Sequence, residues 1–96
     1  MKGLMIVCDQ ELQAELDYLL RSNGIQTYTL FKNVQGMGES GLKQGDSIGP
    51  GLNLLYWVVL EAGKLPPFLN ELKTFKQKKL KQKGIQIFVI PVEASY

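Results

Sequence analysis

Apolar residues fall along this chain in four dense short runs separated by two sparser, helically spaced stripes. Leu4-Met-Ile-Val-Cys8 is unbroken and reads as a buried strand. Asp9 offers an N-cap, Glu11 and Glu15 suit the positive end of a helix dipole, and Leu12, Leu16, Leu19 and Leu20 repeat at helical spacing before Asn23-Gly24 stops them. Residues 25–34, Ile-Gln-Thr-Tyr-Thr-Leu-Phe-Lys-Asn-Val, are rich in β-branched and aromatic side chains and predict a second strand. Leu52 to Glu61 contains the greasiest run and predicts a third. Pro66 and Pro67 suit a first helical turn, and Phe68, Leu69, Leu72, Phe75 and Leu80 stripe a helix predicted to run to Lys83 and to end at Gly84. Ile85 to Val92 is the last strand, placed at a sheet edge by Pro91.

The order is strand, helix, strand, strand, helix, strand. Gly24-Ile-Gln and Gly84-Ile-Gln each follow a helix, so the chain echoes itself as two strand–helix–strand halves. Right-handed crossovers in such a pair give the ferredoxin-like βαββαβ fold, of the α+β class: a four-stranded antiparallel sheet with two helices on one face. The runs at 4–8 and 52–60 become central strands, with edges at 25–34 and 85–92. Successive strand side chains alternate between faces, so Leu54-Leu-Tyr-Trp-Val-Val-Leu60 is apolar on both. Two helices cover one face only. The bare one predicts an obligate oligomer, without fixing its number.

Six of the ten glycines lie between Gly36 and Gly51, in a connection far longer than a hairpin requires. Glycine lets backbone N–H groups approach a ligand closely, so this segment is the first place to look for function. Gly36, Gly38, Glu39, Ser40 and Gly41 are the candidate ligand contacts, with Lys43 or Lys2 as counter-charge for an anion. A segment that orders only on meeting a partner is the alternative. Its spacing matches neither the P-loop nor the dinucleotide fingerprint, since a strand follows it rather than a helix.

With 96 residues, the chain is read as one domain, residues 1–96. The net charge of +2 hides an asymmetry: residues 1–61 carry four basic and seven acidic side chains, residues 62–96 seven basic and two acidic. Six lysines between Lys73 and Lys83 make a basic helix that suits solvent, an acidic partner, an anionic membrane or nucleic acid. The tyrosines do not interleave with them, which disfavours nucleic acid. The absence of histidine and the single cysteine argue against catalysis and against a metal site within one chain; Cys8, beside Asp9, reads as a structural thiol. One cysteine and no leader-like start predict a cytoplasmic protein.

Four features in order resemble the PII nitrogen regulatory (PII-like signalling) proteins. Met1-Lys2 runs straight into a strand; helix one ends in Gly24-Ile-Gln26; a strand closes in Val34-x-Gly36-x-Gly38-x-x-Gly41, similar to the family's T-loop entry; and Ile87-Phe-Val-Ile-Pro-Val-Glu93 resembles its last strand. The resemblance implies a non-enzymatic regulator: a homotrimer with inward-facing sheets, no required cofactor, an effector such as ATP or ADP with 2-oxoglutarate in clefts between subunits, and a T-loop, here 36–51, that contacts a regulated transporter or enzyme. Glu93 would lie near such a cleft. Departures are marked. Glu39 and Ser40 replace the family's arginine and glutamine, residues 36–50 hold no tyrosine, Lys83-Gly84 leads directly into the last strand without a B-loop, and residues 93–96 after the last strand include no arginine. Most of the family's phosphate-binding side chains are thus absent. A ligand-free interaction module, docking through the loop and the lysine-rich helix, is the competing class.

Overall fold

The computed structural model describes residues 1–36, 52–79 and 84–96. Strand β1 (Lys2–Asp9) leads through a 3-10 turn (Gln10–Leu12) into helix α1 (Gln13–Ser22), followed by β2 (Thr29–Val34), β3 (Asn53–Leu60), a second 3-10 turn (Ala62–Lys64), α2 (Leu65–Lys79) and β4 (Ile85–Pro91). The sheet order is β2-β3-β1-β4, and every neighbouring pair is antiparallel. This is the expected α+β, ferredoxin-like arrangement, with the two apolar runs at its centre.

Local chemistry sets the boundaries. The Asp9 carboxylate accepts from the Glu11 N–H at 2.8 Å, capping the turn that opens the first helical unit. At the other end Gly24 adopts φ 72°, which costs an L side chain but not glycine. Its N–H donates to the Arg21 carbonyl, that of Ile25 to Leu20, and the Asn23 amide to Leu19 at 2.8 Å, closing the helix in a Schellman motif. Burial of Ile25 completes the motif. That closure corrects one boundary: the expected strand over 25–34 begins only at Thr29, because Ile25 serves the helix cap and the core. Helix α2 starts earlier than its apolar stripe, at Leu65, with Pro66 and Pro67 in the first turn where their missing N–H groups cost nothing. Its expected extension through residues 80–83 lies outside the described residues.

Both helices pack on one face. Leu4, Ile6 and Cys8 from β1 and Leu54, Tyr56, Val58 and Leu60 from β3 point into a core closed by Leu12, Leu16, Leu20, Leu65, Phe68 and Leu72. The alternate residues point the other way. The registers Gly3↔Val59, Met5↔Trp57 and Val7↔Leu55, with Met5↔Phe88, Gly3↔Ile90 and Phe31↔Leu55, put Met5, Val7, Leu55, Trp57, Val59, Phe31, Phe88 and Ile90 on one surface. No described element covers it. Phe31 is 51% and Phe88 48% exposed. The Trp57 indole lies across Gly3, where a Cβ would sit 2.5 Å from Cη2, so glycine is what lets the ring lie flat on the strand.

Candidate functional site

Two surface features stand out once the sheet is built. The first is the bare apolar face, which holds a hollow of about 380 Å³ lined by Met5, Phe31, Val34, Leu55 and Trp57. Nothing polar lines it, so it has the character of a contact surface rather than of a catalytic pocket.

The second arises where β3 outruns its neighbour. Pairing between β2 and β3 begins at Thr29↔Trp57, whereas β3 continues to Leu60 along β1. On the β2 side, Val58 to Leu60 have no strand partner among the described residues. The segment Gly24 to Thr27 passes alongside instead and leaves a groove of about 160 Å³, closed on the far wall by Val59, Leu60, Glu61 and Lys64. The groove combines an apolar floor, a carboxylate, an ammonium and the free edge of a strand. A flat, polar-edged ligand would find both a surface and hydrogen-bonding groups there.

A polar node braces the groove from behind. Tyr56 projects from the core face of β3, and its hydroxyl donates to Asp17 Oδ1 at 2.8 Å; Tyr28, next along from Thr27, donates to the same oxygen at 3.4 Å. The two rings pack at 5.6 Å between centroids. Burial, reinforced by the hydrogen bond to Asp17, pushes the Tyr56 phenol well above its usual range, so it stays a donor. Burial, then the charges of Asp9 and Asp17, pushes the Cys8 thiol up to about 12. A thiol held protonated beneath both helices is a packing residue.

Of the residues singled out by sequence, Gly36 is half-buried just beyond β2, and Glu93 is exposed just beyond β4. Those strands form opposite edges of the sheet, so a single chain does not bring the two residues together. Gly38, Glu39, Ser40, Gly41 and Lys43 lie outside the described residues. The groove residues Gln26, Thr27, Glu61 and Lys64 were not singled out by sequence reasoning. Their signal was faint: Gln26 and Thr27 fell inside a run read as strand, Glu61 was read as the end of the third strand, and Lys64 belonged to no motif. Among the described residues no three His, Cys, Asp or Glu side chains cluster as metal ligands, and no helix is long and apolar enough to cross a membrane.

A family model for the nitrogen regulatory protein P-II matches residues 1–96. The chain belongs to that family. The resemblance read from the glycine entry and the last strand is thereby established, and the family is a regulatory one. No curated protein matches the chain by sequence. Among solved structures, it is similar to CPII of Thiomonas intermedia K12, a nitrogen regulatory PII-like protein, bound to ADP, AMP and bicarbonate: TM-score 0.70, 18% identity, covering 99% of this chain and 94% of that one. CPII bound to ADP, AMP and acetate gives TM-score 0.67 at 15% identity, covering 95% and 88%. A protein of Thermus thermophilus, described as PII-like, gives 0.65 at 19% identity, covering 92% and 82%. At such identities the likeness establishes the fold.

Proposed function

We propose that this PII-family chain is a non-enzymatic cytoplasmic regulator, assembled as a homotrimer through its bare sheet face, that senses a small anionic metabolite and relays its presence to a target protein. The effector class is an adenine nucleotide, with its base in the groove between residues 24–27 and 59–64. The observation that carries this reading is that groove: a free strand edge beside Glu61 and Lys64, apolar below, in a family whose solved relatives hold ADP and AMP. Flat heterocycles with exocyclic donors and ring acceptors match a strand edge, and Lys64 supplies a positive charge beside it.

Gly36, Gly38, Glu39, Ser40 and Gly41, with Lys43 as counter-charge, are the proposed contacts for the anionic part of the ligand. Glu93 belongs to the same cleft only if a neighbouring copy delivers it, because β4 is the far edge of its own sheet. Three copies closing over their bare faces would bring such edges together. The segment 36–51, the T-loop equivalent, then reports occupancy to a transporter or enzyme.

Calorimetry of the intact assembly with ATP, ADP, AMP and cyclic AMP, each with and without bicarbonate, tests the reading. Micromolar binding of at least one nucleotide is expected, weakened at least tenfold by Glu61→Lys or Lys64→Glu. Absence of heat with every nucleotide, at protein concentrations suited to micromolar affinity, refutes it and favours the ligand-free interaction module.

A further inference from the structure

Both ends of the 24–27 wall of the groove hang from helix α1. At the near end the Gly24 N–H donates to the Arg21 carbonyl at 3.0 Å and the Ile25 N–H to the Leu20 carbonyl at 2.9 Å. At the far end Tyr28 turns back to the same helix. Its hydroxyl lies 3.4 Å from Asp17 Oδ1, and its ring packs on that of Tyr56 with 5.6 Å between centroids and a tilt of 48°. Asp17, Leu20 and Arg21 stand three and four residues apart, so one side of α1 supplies all three acceptors. Between the two ends Gln26 and Thr27 are exposed and belong to neither helix nor strand. A short stretch of that kind samples many conformations unless its ends are held.

The Asp17 oxygen also reaches the opposite wall. It accepts from the Tyr56 hydroxyl at 2.8 Å, and Tyr56 is a fully buried residue of β3, the strand that goes on to supply Val59 and Leu60 to the groove. One carboxylate oxygen thereby joins α1 to both sides of the groove, to β3 through Tyr56 and to residues 24–27 through Tyr28. A carboxylate has lone pairs enough for both phenols, and its charge strengthens each bond. Satisfying the buried Tyr56 phenol does not by itself require Tyr28. That residue is 37% exposed and could give its hydroxyl to water, yet its ring lies on Tyr56 and its hydroxyl faces the shared oxygen.

We propose that Asp17, which does not line the groove, is its positioning residue: by holding Tyr28 against Tyr56 it fixes the 24–27 wall in place before any ligand arrives. For its effect on affinity the inference rests on the nucleotide reading of the groove; for its effect on the wall it rests on the geometry alone. A wall set in advance spares the ligand the ordering cost that a loose one would exact on binding.

Two measurements on the intact assembly test this. Amide ¹⁵N relaxation of the ligand-free protein reads the wall directly. Order parameters of about 0.85 are expected for residues 25–28 of wild type, falling below about 0.6 in Asp17→Ala and in Tyr28→Ala while β1 and α2 stay unchanged. Asp17→Asn keeps an acceptor oxygen and should restore the wild-type values. Tyr28→Ala alters an exposed position, and in Asp17→Ala the Gln13 carbonyl, 3.5 Å from the Tyr56 hydroxyl, offers that phenol another acceptor, so both variants should fold. Calorimetry reads the consequence. The nucleotide that wild type binds should bind at least tenfold more weakly to Asp17→Ala and Tyr28→Ala, and within about threefold of wild type to Asp17→Asn. A 25–28 segment that stays rigid in both alanine variants overturns the proposal, and so does loosening spread evenly through β1 and α2, which would make Asp17 a general packing residue. Equal nucleotide affinity in wild type and both alanine variants overturns it as well, and leaves the nucleotide reading standing. A wild type that binds no nucleotide while its wall responds as expected refutes the nucleotide reading and supports the placement of the wall by Asp17.

Discussion

Phe88→Asp is the sharpest test of what the uncovered sheet face does. Phe88 stands on the edge strand β4, opposite Met5, and is 48% exposed in the single chain. A phenylalanine side chain buries about 150–250 Å² when fully enclosed, so the proposed assembly would remove about 100 Å² from water at this position. At about 25 cal/mol per Å² the contact would contribute about 2.5 kcal/mol per subunit, and about 7.5 kcal/mol over the three copies of the proposed trimer. An aspartate forfeits that and adds the cost of an unpaired charge in an apolar contact. The chain's own core lies on the opposite face, formed by Leu4, Ile6, Leu16, Leu20, Tyr56 and Phe68, so the variant should keep its secondary structure. Sedimentation velocity across the nanomolar to micromolar range, with far-ultraviolet circular dichroism alongside, reads both effects. Wild type should sediment as a trimer at micromolar concentration and Phe88→Asp as a folded monomer. A monomeric wild type, or a variant whose assembly is unchanged across the range, refutes the claim that this face drives association.

Gly3→Ala puts a methyl group 2.5 Å from the Trp57 indole and 3.2 Å from Val92, so the ring must tilt off the sheet. A loss of about 1–3 kcal/mol in denaturant unfolding and a shifted tryptophan emission are expected, both relieved in the Gly3→Ala/Trp57→Leu double variant; strictly additive losses would dismiss the contact. Alkaline stability should fall from about pH 9, because Cys8 ionises at 9.0 when unfolded but holds its proton to about 12 when folded. The unfolded state then binds fewer protons, and stability drops by about 1.4 kcal/mol per pH unit for one such group, Tyr56 adding its own slope above its unperturbed value of 10.0. Urea midpoints measured between pH 8 and 11 should show Cys8→Ala flattening the slope above pH 9 and Tyr56→Phe flattening it above pH 10; identical slopes in all three proteins would rule out the assignment.

Much of this molecule was written in the spacing of its apolar residues. The strand runs at 4–8 and 52–60, the leucine repeat of α1, the Asp9 cap, the Asn23-Gly24 stop and the proline-led start of α2 each rest on interactions within a few residues of sequence, so they can be read locally. Two-sided apolarity likewise followed from strand periodicity alone, and the registers place Phe31, Trp57 and Phe88 on the uncovered face as that periodicity requires. The groove between residues 24–27 and 59–64 was not legible. It exists because Ile25 is drawn into a helix cap and the core, so β2 starts late and the end of β3 has no strand partner on that side among the described residues. The meeting of Tyr28, Asp17 and Tyr56 joins residues 11 to 39 positions apart. Sequence spacing encodes which face a side chain takes along its own element, whereas the gap left between elements depends on how those faces pack, and only the folded chain decides that.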